Sequence, residues 1–247
     1  MNNDKFNKWF NVFILGGMTL VMIVTTAIQI SQDRSDAAML LVAAFGSLMG
    51  VLSTVCSANA KILTFLFGFF DVAIYGVMCF MSHNYGNGAL HLAYFLPMQF
   101  IGFWQWRRRG ATSHDGIKAR RLSGRRRLLW SAVFLAGLAV SYFVLLRFGR
   151  EDAASAVRVA IFMDAFSMMC NIIGQLLMST AYMEQWIFWI GVNVASVVMW
   201  VATLSGSEDS DYAFIYVIKY SFYLLNSLNG LRIWLRLSRP AGAGEAS

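Results

Sequence analysis

Charge is scarce in this chain, and proline and cysteine are scarcer still. Only 13% of the 247 residues are charged while 58% are hydrophobic, whereas a typical soluble domain carries about 25% charged residues. An ordinary water-soluble fold is thereby excluded and an integral membrane protein is implied. The two prolines, Pro97 and Pro240, leave long helices almost uninterrupted. The three cysteines, Cys56, Cys79 and Cys170, all fall in apolar stretches without the spacing of a disulfide framework or metal site. They read as small buried hydrophobes. His83, His91 and His114 show no metal spacing either, and neither a phosphate-cradling glycine loop nor an ATP-binding motif is found. No cofactor is expected.

What is present is a series of apolar stretches, each about 20 residues long, the length that crosses about 30 Å of hydrocarbon. Eight are found, at 9–30, 37–57, 62–81, 88–106, 128–147, 157–179, 186–204 and 212–235. Each must be a helix, because backbone groups in lipid have no water to bond. The first follows Lys5 and Lys8 but is too long for a signal peptide's apolar region and lacks a convincing cleavage site. It is expected to be retained.

Net charge is +7, and the basic residues cluster. Nine lie between Arg107 and Arg127, beside apolar segments, which marks membrane orientation and headgroup attraction rather than a nucleic-acid partner. With the amino terminus in the cytoplasm, fifteen basic residues face inward against four outside, Arg34, Arg147, Arg150 and Arg158. Both termini are therefore predicted to be cytoplasmic. The outer loops collect acid instead: Asp33, Asp36, Glu151, Asp152, Glu208, Asp209 and Asp211.

An internal repeat aligns 52–73 with 174–195 without a gap. Ser57 then meets Ser179, and Asp71 meets Asn193. Farther on, "GFWQW" at 102–106 meets "GLRIW" at 230–234. Segments two to four and six to eight form two three-helix units of the same orientation, joined by segment five. The boundaries are 1–36 for an extra N-terminal helix, 37–106 for the first bundle and 107–127 for a basic cytoplasmic loop. A linker helix at 128–156, the second bundle at 157–236 and a disordered tail at 237–247 complete the chain.

Asp71, Asp164 and Lys219 are the ionisable residues deep within spans, where charge is expensive and retained mainly for function. They extend into stripes at helical spacing. One is Tyr212, Tyr216, Lys219, Tyr223, Asn226 and Gly230. A second is Trp186, Trp189, Asn193, Ser196 and Trp200. A third is Asp164, Ser167, Asn171 and either Gly174 or Gln175. Asp71 and Tyr75 share a face, as do Gln99, Gly102 and Trp106. Rings stack on flat or cationic solutes, and amides bond hydroxyls and carboxamides. The blander alternative is polar glue between helices and aromatic marking of the interface. For Lys219 it is an ion pair with Asp164 or Asp71, and for Glu184 a cap on the seventh helix near Trp186.

The runs "MEQWIFWIGVN" and "YVIKYSFYLLNSLNGLRIW", with the earlier "LPMQFIGFWQW", resemble the PnuC family of bacterial vitamin transporters, most closely those for nicotinamide riboside. The match covers segments two to eight. The resemblance implies a fold similar to the SWEET sugar transporters, with two parallel three-helix bundles, a linker helix and substrate held near the midplane. It further implies facilitated diffusion into the cytoplasm across the bacterial inner membrane, with phosphorylation preventing return of the riboside. The pyridinium would be sandwiched by Trp186, Trp189 or Tyr223. Asn171, Gln175, Asn193, Asn226 or Gln99 would bond amide and ribose. Lys219, neutralised by Asp164 or engaging the ribose, and Asp71 complete the candidate set. Thiamine or riboflavin transport is the alternative within the family, and a homo-oligomer is left open. From other classes, a membrane-embedded enzyme is weakened by the lack of a nucleophile–base pair or metal cluster. A retinal-binding photoreceptor on Lys219 is opposed by eight spans and the parallel repeat.

Overall fold

The computed structural model describes residues 3–32, 34, 37–112, 116–148, 155–204 and 210–239. The acidic outer-loop residues Asp33, Asp36, Glu151, Asp152, Glu208 and Asp209, as well as His114, Arg150 and the tail from 240, lie outside these, as do the side chains of Asp211 and Tyr212.

Among the described residues the protein is helical, with no strand beyond one isolated bridge between Arg120 and Tyr182. The helices are α1 (Asn3–Gln32), α2 (Ala37–Ala58), α3 (Leu63–Met81), α4 (Tyr85–Leu90) and α5 (Leu96–Arg108), then α6 (Gly124–Phe148), α7 (Ser155–Ser179), α8 (Gln185–Leu204) and α9 (Ser210–Leu237). A π-helical turn, His91–Phe95, joins α4 to α5, so the fourth predicted segment is one helix with a bulge. Its closing bond runs from Leu96 N–H to His91 O. It lies just ahead of Pro97, which has no N–H to donate.

Six helices, α1, α2, α3, α6, α7 and α8, are long and apolar enough on their own to cross a membrane. The protein is therefore a multi-pass membrane protein. The fourth and eighth segments fall outside this set. The eighth carries Lys219, Asn226, Asn229 and Arg232 along its length, and such residues belong on faces turned from lipid. One apolar face of α6 points outward, with Leu128 75% and Phe143 65% exposed, as a lipid-facing helix requires, while Trp130 and Phe134 turn toward the core.

Within the described residues the chain divides into two compact units. The first runs through Lys118 and takes back Arg232–Leu237; the second runs from Ala119 to Leu231 and takes Ser238. In the first, α1 is tied to the turn that follows α2 by reciprocal amide bonds between Asn11 and Asn59 at 3.2 and 3.1 Å. Ser53 Oγ on α2 donates to Thr64 O at 2.8 Å, and Thr64 Oγ1 donates back to Ser53 O at 3.0 Å, pinning α2 to α3. The aromatic core is Phe65, edge-on to Trp106 at 5.0 Å, with Trp234 5.7 Å beyond. Trp234 Nε1 donates to Ser57 O at 2.9 Å, so even the buried indole is satisfied. In the second unit Leu122, Met169, Ile173, Leu177 and Tyr182 form the core under Trp130 and Phe134.

Both units turn between helices in the same way. After α2 the chain enters the left-handed region at Ala60 (φ 56°), and after α7 at Ala181 (φ 62°). Lys61 N–H bonds Cys56 O and Tyr182 N–H bonds Leu177 O, each 2.8 Å, the closing bond of a Schellman cap. The carbonyl of Ala60 accepts from Ile117 N–H at 3.1 Å and that of Ala181 from Arg120 N–H at 2.8 Å. These turns correct the gapless alignment. They pair Ala60 with Ala181, whereas the sequence register pairs Asn59 with Ala181. At this turn the gapless register is therefore off by one residue.

Candidate functional site

The polar stripes of α7, α8 and α9 meet within the second unit. Asn193 on α8, 9% exposed, donates through Nδ2 to Ser227 Oγ on α9 at 2.9 Å. Two turns toward the start of α8, Trp186 is 3% exposed, and its ring lies against Gly230 of α9. The ring of Trp189 lies against Gly174 of α7, where an added Cβ would sit 3.1 Å from it. At the other end Trp200 and Tyr216 stack at 4.2 Å with planes 12° apart. Four α8–α9 and α7–α8 contacts thus turn the tryptophan and asparagine stripe inward.

The remaining predicted residues take less uniform positions. Asn171 is half-buried and donates Nδ2 back to Ser167 O at 2.8 Å on its own helix. Gln175, 6% exposed, reaches Ser179 Oγ at 3.4 Å, a weak bond. Lys219 is half-buried, with Nζ 5.9 Å from the Tyr216 ring centroid. Tyr223 is half-buried beside Tyr220, ring centroids 6.2 Å apart. Asn226 is 1% exposed, and among the described residues its Oδ1 has no hydrogen-bond partner. Asp164 is exposed on α7.

Gln99 and Asp71 belong to the first unit. Gln99, 5% exposed, donates Nε2 to Phe95 O at 3.1 Å while its Oε1 finds no partner among the described residues. Asp71 is half-buried on α3 against Gly50 of α2, where an added Cβ would lie 2.8 Å from Oδ1. Gly102 stands to Phe65 as Gly230 stands to Trp186: Cβ atoms there would meet the rings at 2.2 and 2.4 Å. That is the physical content of the glycine–tryptophan match between "GFWQW" and "GLRIW".

Sequence reasoning missed two residues. Ser227 lies one residue off the α9 stripe, beside Asn226, and a single serine there carries no signal of its own. Gln185 falls outside a stripe that begins at Trp186, although it stands four residues before Trp189 and so shares its face. It is fully buried, and neither atom of its amide has a partner among the described residues.

Glu184 has a different task from helix capping. It is 4% exposed, and its Oε1 accepts from Leu122 N–H at 3.0 Å and from Arg127 at 3.1 Å. Arg120 lies over the Tyr182 ring at 4.3 Å, and Arg126 donates to the Tyr182 hydroxyl at 2.9 Å. Part of the basic loop is therefore docked onto the α7–α8 turn, besides whatever attraction it has for headgroups.

Residues 40–236 match the nicotinamide mononucleotide transporter family. A nicotinamide riboside transporter PnuC from Neisseria mucosa is 32% identical over 200 residues, covering 79% of this chain and 72% of that protein. The Escherichia coli protein of the same name is 26% identical, covering 83% and 89%. The crystal structure of a vitamin B3 transporter PnuC is similar with a TM-score of 0.66, at 26% identity, covering 94% of this chain and 91% of that one. The chain belongs to the nicotinamide mononucleotide transporter family, that of the PnuC transporters, a family of transporters and not of enzymes.

Proposed function

We propose that the protein carries nicotinamide riboside across the bacterial cytoplasmic membrane by facilitated diffusion. The observation that carries this reading is the inward set of rings and amides in the second unit, with a buried open acceptor on Asn226. A pyridinium is stabilised over indole and phenol faces, here Trp186, Trp189 or Tyr223. Ribose hydroxyls and a carboxamide find partners in Asn171, Gln175, Asn193, Asn226 and Gln99. Lys219 engages the ribose, and Asp71 belongs to the same candidate set. The names of the relatives agree on the riboside.

The proposed arrangement is eight spans. An extra helix at 1–36 precedes a three-helix bundle at 37–106, the basic loop 107–127, a linker at 128–156 and a second bundle at 157–236. Both termini are cytoplasmic. The repeated left-handed turns at Ala60 and Ala181 support two units of one design. Rocking of such bundles around a central site gives alternating access. Phosphorylation in the cytoplasm would keep the riboside from returning.

The family's description names the mononucleotide instead. The amide-rich stripes favour the riboside, since a phosphate is served by clustered arginines or backbone N–H groups. Proteoliposomes holding the purified protein and no kinase separate these readings. Radiolabelled riboside should equilibrate across the bilayer with no imposed gradient. Entry only under a proton or sodium gradient would overturn facilitated diffusion. Entry of the mononucleotide, thiamine or riboflavin in place of the riboside would overturn the substrate.

A further inference from the structure

Gln185 opens α8, and its side chain is 0% exposed. Among the described residues both its Nε2 and its Oε1 lack hydrogen-bond partners. Buried amides in folded proteins are nearly always bonded, and one left open at both ends among the described residues is placed to accept a partner that those residues do not supply. The position is not incidental. Helical spacing puts Gln185 on the face of Trp189, whose ring packs on Gly174. In the same unit, Asn226 leaves a second buried acceptor open one turn from Gly230, the glycine that receives the Trp186 ring.

An open N–H and an open C=O on one primary amide are the complement of another primary amide. The two can pair head to tail, each donating one bond and accepting one. A carboxylate in the same place offers acceptors only, and sets its negative oxygen against Gln185 Oε1. We infer that Gln185 is a specificity-determining residue that pairs with the carboxamide of the transported riboside and discriminates it from the acid analogue. This rests on the riboside reading above and deepens it.

The chemistry supplies its own control. If the amide has no ligand, replacing it by an apolar side chain of similar length removes two open polar atoms and should leave binding alone. Gln185→Met in the full chain should therefore melt at or above the wild-type temperature without ligand, yet bind nicotinamide riboside at least about tenfold more weakly. Nicotinic acid riboside, measured by the same titration calorimetry, should bind the wild type about tenfold more weakly than the amide and change little in the variant. Gln185→Leu, which likewise has no polar side-chain atom, gives the same readout if the methionine variant does not purify. Unchanged affinity for nicotinamide riboside, or an equal loss for both ribosides, would overturn the inference alone. A wild-type protein that binds neither riboside would remove the riboside reading and this inference with it.

Discussion

The indole of Trp186 occupies the space a side chain on Gly230 would need, 2.4 Å from where a Cβ would stand. The ring is buried and rigid, so it cannot swing aside at small cost. Gly230→Ala should therefore destabilise the protein by about 1–3 kcal/mol, the usual range for overpacking, and weaken riboside binding through displacement of the ring. Gly16, where an added Cβ meets nothing within 4 Å, is the control. Melting curves of Gly230→Ala and Gly16→Ala in detergent check the difference. Equal melting temperatures would show that the Trp186 contact does not set the packing.

Trp189 and Asn193 stand on the inward stripe of α8, the latter bonded to Ser227 at 2.9 Å. The double replacement Trp189→Ala with Asn193→Ala is expected to weaken riboside binding by about tenfold or more, since a ring face worth about 0.5–2 kcal/mol and a hydrogen bond worth about 0.5–1.5 kcal/mol are both lost. Titration calorimetry reads it. Unchanged affinity removes these two residues from the site.

Glu184 holds Leu122 N–H and Arg127 with one oxygen while almost fully buried. Arg127 is 53% exposed, so its own share is small. Arg127→Ala should cost under about 1 kcal/mol. Glu184→Ala, which also orphans a buried backbone N–H, should cost about 1–3 kcal/mol. A larger effect from Arg127 than from Glu184 on thermal unfolding would contradict this ordering.

Ala60 and Ala181 sit in the left-handed region without being glycine, at φ 56° and 62°. That conformation costs an L-residue about 1–2 kcal/mol. Either Ala60→Gly or Ala181→Gly should raise the melting temperature, by a net stabilisation of about 0.5–1 kcal/mol once the added freedom of the unfolded chain is set against it. A lowered melting temperature would mean the methyl groups, both buried, contribute more by packing than the strain costs.

Some features of the molecule were readable in one dimension, for reasons particular residues make plain. Glycine and tryptophan four apart at 102 and 106 and again at 230 and 234 announced a repeated packing unit. The structure places Phe65 and Trp186 in the corresponding notches. The helix ends were less legible. A glycine marks the left-handed stop at Gly110 (φ 87°), but the stops at Ala60, His83 and Ala181 use residues that give no sign of it. The bulge ahead of Pro97 was hidden too, because a proline within an apolar run reads only as a minor interruption.

By itself the sequence determined that the chain lives in a membrane, since runs of about 20 apolar residues have no other stable home. It also determined which helix faces carry amides and rings, because a period of 3.6 residues is a local property. Which partner each polar atom meets belonged to the tertiary structure. The pairing of Asn193 with Ser227, the docking of Leu122 and Arg127 on Glu184 and the open amide of Gln185 join or isolate groups by how helices pack. Packing is decided by the shapes of side chains from distant segments, and no window along the chain contains them all.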